Sequence, residues 1–335
     1  MPDVTPLARA LLNSSEEPSL IVDRGRVVAI NRAAEAVWPG AEGNDVRFAI
    51  RHPDALELIL GPADAAGQRE LVGIDGTDRP WRLVVAPLSG GLKLVRLADM
   101  SATRSAERMR TDFVANASHE LRTPLATVIG YAETLAEDDE LDPALRQRFG
   151  TTIRSEAGRM LRLIEELMAL SRIEADRYRV PADRVDLAAI VAAALGDLGE
   201  LVRERAAAVS FDGPVGPLAV GGDERQLEIV VTNLITNALR YGCDRDGCAV
   251  AVTLRVDRGQ AVLEVRDEGD GIDALHLPRL TERFYRVDAA RSRDGGGTGL
   301  GLAIVKHIVE RHRGTLEIRS IVGQGTTVAV TLPLA

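Results

Sequence analysis

Two segments near the middle of the chain have the apolar spacing of long amphipathic helices. Apolar side chains in the first segment recur every three or four residues, which places them on one stripe of a helix. These positions are Val114, Ala117, Leu121, Leu125 and Val128. The second helix is predicted to start near Pro143, and its buried side is predicted to consist of Leu145, Phe149, Ile153, Met160, Ile164 and Leu167.

The two predicted helices are separated by the short acidic stretch 137–140. Two long helices with a short connection form an antiparallel hairpin. A single hairpin cannot bury both apolar stripes, whereas a second copy would complete a four-helix bundle. We therefore expect this chain to form a homodimer.

The regions on either side alternate between strand and helix patterns. In residues 1–98, strands are predicted at Leu20–Asp23, Arg26–Asn31, Trp81–Pro87 and 92–97. In residues 177–335, the predicted helices are Leu187–Leu201, Glu224–Tyr241 and Leu300–Arg313, and the predicted strands are Ala249–Val256, Ala261–Arg266, Leu316–Ser320 and Thr326–Leu332. The sequence therefore predicts a multidomain α+β protein that ends in an α/β sandwich, with helices on one face of a sheet.

Composition and charge restrict the classes of protein and partner that this sequence is compatible with. The 335 residues are 45% hydrophobic and 27% charged, which is typical of globular domains. A net charge of −9 is unfavourable for holding a nucleic-acid backbone, so we expect no nucleic-acid partner. No stretch approaches the roughly 18 to 20 apolar residues of a membrane span. We therefore expect a cytoplasmic chain whose input arises inside the cell or comes through a membrane-associated partner.

The chain contains two cysteines, Cys243 and Cys248. Two cysteines are too few for a disulfide framework, and they favour a reducing compartment. A redox pair is the less favoured interpretation of their spacing, because cytosolic cysteines are mostly reduced.

The first candidate site is the segment SHELRTPL at residues 118–125. His119 falls outside the apolar stripe, so its side chain is predicted to point outward, and Thr123 shares its helix face four residues later. Glu120 adjoins it and could take a proton from the imidazole. A neutral imidazole assisted by a carboxylate is a nucleophile, and Pro124 allows the helix to bend just beyond it.

The second candidate site is the segment NLITNALRY at residues 233–241. Asn233 and Asn237 are four residues apart on one helix face, and two amide carbonyls at that spacing can hold one hard cation with its phosphates. Arg240 adds a positive charge, and Tyr241 adds a flat ring for a base. For the two asparagines alone, ordinary surface amides are the favoured interpretation.

Two glycine-containing segments complete the candidates. Asp267 follows a predicted strand in DEGDGI, where it could accept a hydrogen bond from an exocyclic amine while the glycines allow close approach of a ligand. A plain turn at the end of a strand explains that segment equally well. Residues 295–302, GGGTGLGL, precede a helix whose free amides suit phosphate. The arginine-containing stretch between Phe284 and Gly297 is predicted to be a lid over polyphosphate.

In order, the motifs HELRTPL, NLITNALRY, DEGDGI, ERFYRVD and GGTGLGLAIVKHI resemble the sensor histidine kinases of two-component systems over about residues 105–335. The pattern is most similar to the phosphate-regulon sensor kinases. The stretch VDxGxVVxxNxAAE from Val22 resembles a PAS sensor domain. The resemblance implies a PAS-like sensor at 1–98, a dimerisation and phosphotransfer (HisKA) hairpin at 99–176 and an ATP-binding domain of the GHKL (Bergerat) fold at 177–335.

The resemblance also implies a role for each hairpin residue. His119 would be the phosphoacceptor and Glu120 the base that activates it. Thr123 would position water for dephosphorylation of the partner, which is the receiver domain of a response regulator. Because the nucleophile and the nucleotide would lie on different domains, the catalytic domain must swing about a hinge predicted near Val180 and Pro181.

The implied cofactors are ATP and Mg²⁺. Asn237, helped by Asn233, would bind Mg²⁺, Asp267 would read the adenine amino group and Tyr241 would lie beside the ring. The phosphates would meet Arg240 and Arg286. The residues that would shape the pocket and lid are Gly269, Gly271, Gly297, Thr298, Gly299, Leu300 and Gly301.

Two other functions were weighed against a histidine kinase. An ATPase machine of the chaperone, topoisomerase or mismatch-repair type could share the ATP-binding fold, but it needs no HELRTPL segment on a dimerising hairpin. A scaffold or pseudokinase is the third interpretation, and the presence of Asn237, Asp267 and the glycine run argues against it.

Overall fold

The computed structural model describes residues 5–137, 141–176, 179–243, 248–287 and 297–335. The chain divides into two compact units, residues 1–112 and 113–335. Each unit has its own cluster of buried apolar side chains.

The first unit contains a five-stranded antiparallel sheet with short helices. Its elements are α1 Pro6–Asn13, β1 Ser19–Asp23, β2 Arg26–Ile30, α2 Arg32–Val37, α3 Val46–Ala49, α4 Pro53–Leu60, β3 Gly67–Val72, β4 Pro80–Pro87 and β5 Leu92–Asp99. The strand order is β2-β1-β5-β4-β3, and each neighbouring pair is antiparallel. The four predicted strands are confirmed to within a residue or two at each end, and β3 was not predicted.

Two buried polar side chains hold this unit together. Asn31 accepts backbone N–H bonds from Ser19 at 3.0 Å and from Ala34 at 2.9 Å, which ties β1 to the start of α2. Lys93 is 4% exposed, and its Nζ donates to three carbonyl oxygens around the end of α4 at 3.0 to 3.2 Å. These bonds satisfy carbonyls that a helix terminus leaves without intrahelical partners.

The predicted helical hairpin is confirmed as α5 Ser101–Glu137 and α6 Pro143–Ala175. Helix α6 starts where predicted because Pro143 occupies its first turn and Asp142 Oδ1 caps it by accepting from Ala144 N at 2.7 Å. Helix α5 continues through Pro124.

None of the residues in the predicted apolar stripes of the hairpin is buried in one chain: four are exposed and seven are partly buried. Val114 is 59% exposed, Leu125 44% and Ile164 44%. The fully buried apolar residues of α6 are instead Leu163, Leu170 and Ile173, and the last two belong to the core of the second unit. One chain alone therefore does not bury these apolar side chains, and their burial requires a second surface.

The rest of the second unit is an α/β sandwich, as predicted. Its elements are β6 Asp183–Asp186, α7 Leu187–Asp197, α8 Gly199–Glu204, β7 Ala208–Asp212, β8 Ala219–Gly222, α9 Glu224–Tyr241, β9 Ala249–Asp257, β10 Gln260–Asp267, α10 Gly301–Arg311, β11 Thr315–Ile321 and β12 Gly325–Pro333. The main sheet has the order β11-β12-β10-β9-β7, in which β7 and β9 are parallel and the other pairs antiparallel, and β6 pairs with β8 in a small second sheet. Apolar residues of α7, α9 and α10 share one core with the sheet.

Two expectations about this unit are wrong. The single helix predicted at Leu187–Leu201 is broken at Leu198 into α7 and α8, because glycines at 196 and 199 flank the break. The expectation of two reduced cysteines also fails, since Cys243 and Cys248 form a disulfide. Among the described helices, none is both long enough and apolar enough to cross a bilayer.

Candidate functional site

A cavity of about 530 Å³ lies in the α/β part of the second unit. It brings together the polar face of α9, the end of β10 and the start of α10, which are far apart in the sequence. The sequence-predicted residues that line it are Asn233, Asn237, Arg240, Tyr241, Asp267, Gly271, Arg286, Gly297, Thr298, Gly299 and Gly301. Residues of NLITNALRY, DEGDGI, ERFYRVD and GGTGLGL, which are separate in the sequence, therefore form one site.

Helix α9 supplies one wall of the cavity. Asp223 caps its start by accepting from Gln226 N at 3.2 Å, and its apolar face is buried in the core. The opposite, polar face carries Asn233 and Asn237 into the cavity. Asn233 Nδ2 donates to the carbonyl of Ile229 at 2.8 Å, so its Oδ1 is the atom left to accept from a ligand or bind a cation.

Asp267 ends β10 and lies in the cavity wall. Its Oδ1 accepts backbone N–H bonds from Gly269 at 3.0 Å and from Thr326 at 3.1 Å. Burial raises the pKa of Asp267, and these two bonds act in the opposite direction. Within the described parts of the chain both donors reach Oδ1, which leaves Oδ2 for a donor on a ligand.

The glycines at the start of α10 are required by the protein's own packing. Gly299 has a φ of +75°, and a Cβ there would lie 2.8 Å from the backbone of Phe284. A Cβ on Gly301 would lie 2.5 Å from Oδ1 of Asn233. These glycines, expected to allow close approach of a ligand, instead allow close approach of protein atoms. Of the two neighbours, Asn233 lines the cavity.

Two predicted pocket residues do not line the cavity. Leu300 is fully buried in the core, and Gly269 packs beneath Asp267, where a Cβ would lie 2.6 Å from Cα of Gly242. Gly271 does line the cavity, at a φ of +70°. Gly269 and Leu300 therefore support the site from behind.

Sequence reasoning missed Glu166, which α6 places in the cavity wall. The hydroxyl of Thr298 donates to Glu166 Oε2. Burial raises the pKa of Glu166, while the hydrogen bond from Thr298 and the guanidinium groups of Arg162 and Arg240 act to lower it. No local signal distinguished this residue from the other acidic residues of the hairpin.

Tyr285, within the segment ERFYRVD, also lines the cavity, and its sequence context predicts no role for it. Its hydroxyl lies 2.6 Å from Nδ1 of His276, and the guanidinium carbon of Arg279 lies 4.2 Å from its ring centroid. A hydrogen bond and a cation–π contact therefore fix the tyrosine ring at the edge of the cavity.

The hairpin candidates lie outside the cavity lining. His119 and Thr123 are exposed, as predicted, and Thr123 Oγ1 donates to the backbone carbonyl of His119 at 3.4 Å. The carboxylate of Glu120 pairs with arginines. Its Oε2 accepts from Arg159 Nη2 at 3.2 Å and lies 3.9 Å from Arg286 Nη1. Arg286, which also lines the cavity, connects the hairpin motif to the candidate nucleotide site.

Further contacts join the hairpin to the α/β part of this unit. Arg283 forms an ion pair with Glu174 near the end of α6, and His307 Nε2 lies 3.6 Å from the same carboxylate. The rings of Phe113 and Phe284 have centroids 5.9 Å apart. Of the lid predicted between Phe284 and Gly297, residues 288–296, including Asp288, Gly295 and Gly296, lie outside the described residues.

Two family models match the chain. Residues 109–176 match the His Kinase A (phospho-acceptor) domain, and residues 222–335 match the histidine kinase-, DNA gyrase B-, and HSP90-like ATPase. The first match contains His119 and the second contains the described cavity walls on α9, β10 and α10.

Curated relatives and a solved structure are similar to this chain. The phosphate regulon sensor protein PhoR of Pseudomonas aeruginosa is 42% identical over 86% of this chain, which spans 64% of PhoR. The sensor-like histidine kinase SenX3 of Mycolicibacterium smegmatis is 37% identical over 98% of this chain and 84% of SenX3. The histidine kinase ThkA, solved in complex with the response regulator protein TrrA, has a TM-score of 0.52 at 15% identity and covers 97% of this chain and 98% of that one. The ThkA likeness shows the fold alone, whereas the extent of the SenX3 match shows the family: this chain belongs to the sensor histidine kinases.

Proposed function

We propose that this chain is an ATP-dependent histidine kinase that phosphorylates His119 and passes the phosphoryl group to an aspartate of a response regulator. The observation that carries the proposal is the convergence of α9, β10 and α10 on one cavity, in the same unit as a helix that exposes His119. Membership of the sensor histidine kinases supports it.

The cavity residues fit a magnesium nucleotide. Oδ2 of Asp267 would accept from the adenine amino group, and Tyr241, which also lines the cavity, would contact the base. Oδ1 of Asn233 and the amide of Asn237 are oxygen donors of the kind Mg²⁺ prefers together with phosphates. When bound, Mg²⁺ neutralises charge on the phosphates.

Arginines and the start of α10 would bind the polyphosphate. Arg240 and Arg286 carry positive charge to the cavity. The backbone at Gly297, Thr298 and Gly299 precedes the N-terminus of α10, where free amides favour an anion. The carboxylate of Glu166 accepts a hydrogen bond from Thr298, so it would have to move away when phosphate binds there.

Release of Arg286 would link nucleotide binding to activation of the nucleophile. Arg286 lies 3.9 Å from Glu120, which also accepts from Arg159. Movement of the catalytic domain toward the hairpin would free Glu120 to take a proton from His119. One ring nitrogen of the neutral imidazole would attack the γ-phosphorus as the bond to the ADP oxygen breaks, and Glu120 would take the proton from the other ring nitrogen.

This movement requires a hinge, which we place at Val180 and Pro181. The carbonyls of Asp176 and Arg179 accept from Arg311 Nε at 3.3 and 3.0 Å, so the segment before the hinge is tied to α10. Because α10 belongs to the catalytic domain, these bonds cross the hinge and would have to break when that domain rotates.

The exposed stripes of α5 and α6 support a homodimer with a four-helix bundle. The receiver domain of the regulator would dock near His119. Thr123, on the same face, would position a water molecule that dephosphorylates the regulator.

The N-terminal sheet supports a PAS-like sensor at 1–98, ahead of the hairpin at 99–176 and the ATP-binding domain at 177–335. Dependence on ATP and on a response regulator would favour a cytoplasmic location for the last two domains. The sensor would receive an intracellular signal or one passed on by a membrane-associated partner.

The proposal is tested by incubating the purified chain with Mg²⁺ and ATP labelled on the γ-phosphate. We expect acid-labile label on wild type and none on Asn237→Ala. The matched control is Thr232→Ala, an exposed residue of the same helix outside the cavity lining, which should label as wild type. Equal labelling of Asn237→Ala contradicts the nucleotide site, and ATP hydrolysis without labelled protein favours an ATPase machine.

A further inference from the structure

The Cys243–Cys248 disulfide lies beside the candidate nucleotide site and has no part in the proposed reaction. Cys243 follows the last turn of α9, two residues after Tyr241, and Cys248 directly precedes β9. The two Cα atoms are 5.3 Å apart. The bond therefore ties the end of the nucleotide-binding helix to the start of a central strand.

The two sulfur-bearing residues differ in their surroundings. Cys243 is 4% exposed and belongs to the core, whereas Cys248 is partly exposed at its edge. The carbonyl of Cys248 accepts from Ala208 N at 2.8 Å, which fixes it to β7. A reductant from solvent would thus approach at the Cys248 side, and Cys243 would have to adjust when the bond breaks.

A change in the position of Cys243 would displace the neighbouring Gly242, which contacts the cavity wall. A Cβ on Gly242 would lie 2.3 Å from Cβ of Asp267, and a Cβ on Gly269 would lie 2.6 Å from Cα of Gly242. Gly242, which directly precedes Cys243 of the disulfide, is therefore packed tightly against Asp267. Because a close-packed interior transmits displacements, a shift of Gly242 moves Asp267 or Tyr241.

We propose that Cys243 and Cys248 form a reversible redox modification site that sets the affinity of the neighbouring nucleotide site, with the oxidised form binding adenine nucleotides more tightly. The proposal rests on the proposed nucleotide-binding function. The structure contains the oxidised form, in which Gly242 supports Asp267. Reduction replaces the covalent bond by two thiols that must separate, and this disturbs that support.

The chemistry is thiol–disulfide exchange with a dithiol. One thiolate of the dithiol attacks a sulfur of the protein disulfide, forms a mixed disulfide and releases one cysteine thiolate. The second thiolate of the dithiol then displaces the other cysteine. The protein gains two electrons and two protons, and the dithiol becomes a cyclic disulfide. A low-molecular-weight disulfide such as oxidised glutathione reverses the reaction.

The test measures the Kd of a fluorescent ATP analogue for the full chain after treatment with oxidised glutathione or with dithiothreitol. Alkylation and mass spectrometry establish the state of the two cysteines, which are all the cysteines in the chain. We expect the Kd to rise about fivefold or more on reduction, the lower end of ordinary coupling between sites. The double variant Cys243→Ser/Cys248→Ser should bind like the reduced protein under both conditions.

Two results overturn this proposal alone: a Kd that is equal in the two states, or free alkylation of both cysteines after oxidation. The comparison of oxidised with reduced wild type needs no substitution, so it holds even if the double variant folds poorly. Absence of analogue binding in both states would instead overturn the nucleotide site itself, and this proposal with it.

Discussion

Replacing Asp267 by asparagine should separate the stability of the catalytic domain from its capacity to bind nucleotide. Asparagine keeps an Oδ1 that can accept from the amides of Gly269 and Thr326, so the backbone around the site should be retained. What the substitution removes is the buried negative charge. We therefore expect a folded variant that binds adenine nucleotides more weakly.

The sign of the stability change follows from the raised pKa of Asp267, which burial causes. A carboxyl whose pKa is higher in the folded state contributes stability below its unfolded pKa of about 3.9, and this contribution is lost as the pH rises through the folded value. As the pH rises above the unfolded value, the partly buried carboxyl therefore lowers the stability of the folded state. Asp267→Asn should therefore melt at a higher temperature than wild type at pH 7, and the difference should shrink toward pH 4.

The binding change follows from the hydrogen bond to the adenine amine. A hydrogen bond to a charged group contributes about 1.5–3 kcal/mol. At about 1.4 kcal/mol for each factor of ten, its loss should weaken binding of an ATP analogue by about 10- to 150-fold. The matched control is Glu268→Gln, which removes an exposed neighbouring charge and should bind as wild type. A variant that is less stable than wild type at pH 7, or that binds with unchanged affinity, would refute this reasoning.

Three further substitutions test other parts of the structure. Gly301→Ala places a Cβ 2.5 Å from Asn233 Oδ1, so analogue binding should weaken in a protein that stays folded; an unchanged Kd would contradict this. His312 Nε2 accepts from Asp223 N and burial lowers its pKa, so stability should fall as the pH drops below about 6.5, and His312→Gln should lose this pH dependence in melting curves. Lys93→Met leaves buried carbonyls unpaired, and urea unfolding should show a loss of about 1–3 kcal/mol; equal stability would refute its role.

The sequence predicted best where one local pattern extended over many residues. The hairpin and α9 were located nearly to the residue, because apolar periodicity and capping residues such as Asp142 and Asp223 mark long helices. The strands β6, β7 and β8 were missed, since four or five residues with little apolar alternation give a weak signal.

Most of the candidate site was also predictable, because its residues occur in compact motifs. The exceptions depend on contacts between distant segments. Glu166 reaches Thr298 across 132 positions of sequence, and the disulfide forms because the fold brings the end of α9 to the start of β9. Pairing of Glu120 with Arg159 likewise depends on how α5 and α6 pack. No local pattern specifies such partners.

The most direct test of the account is to locate the phosphate that the chain acquires from Mg²⁺ and ATP. Labelled protein would be digested under mildly alkaline conditions that preserve phosphohistidine, and the labelled peptide would be identified by mass spectrometry. The account predicts a single phosphopeptide modified at His119, with no label on His119→Gln and normal nucleotide-analogue binding by that variant. Undiminished labelling of His119→Gln, or phosphate found at another residue, would contradict it.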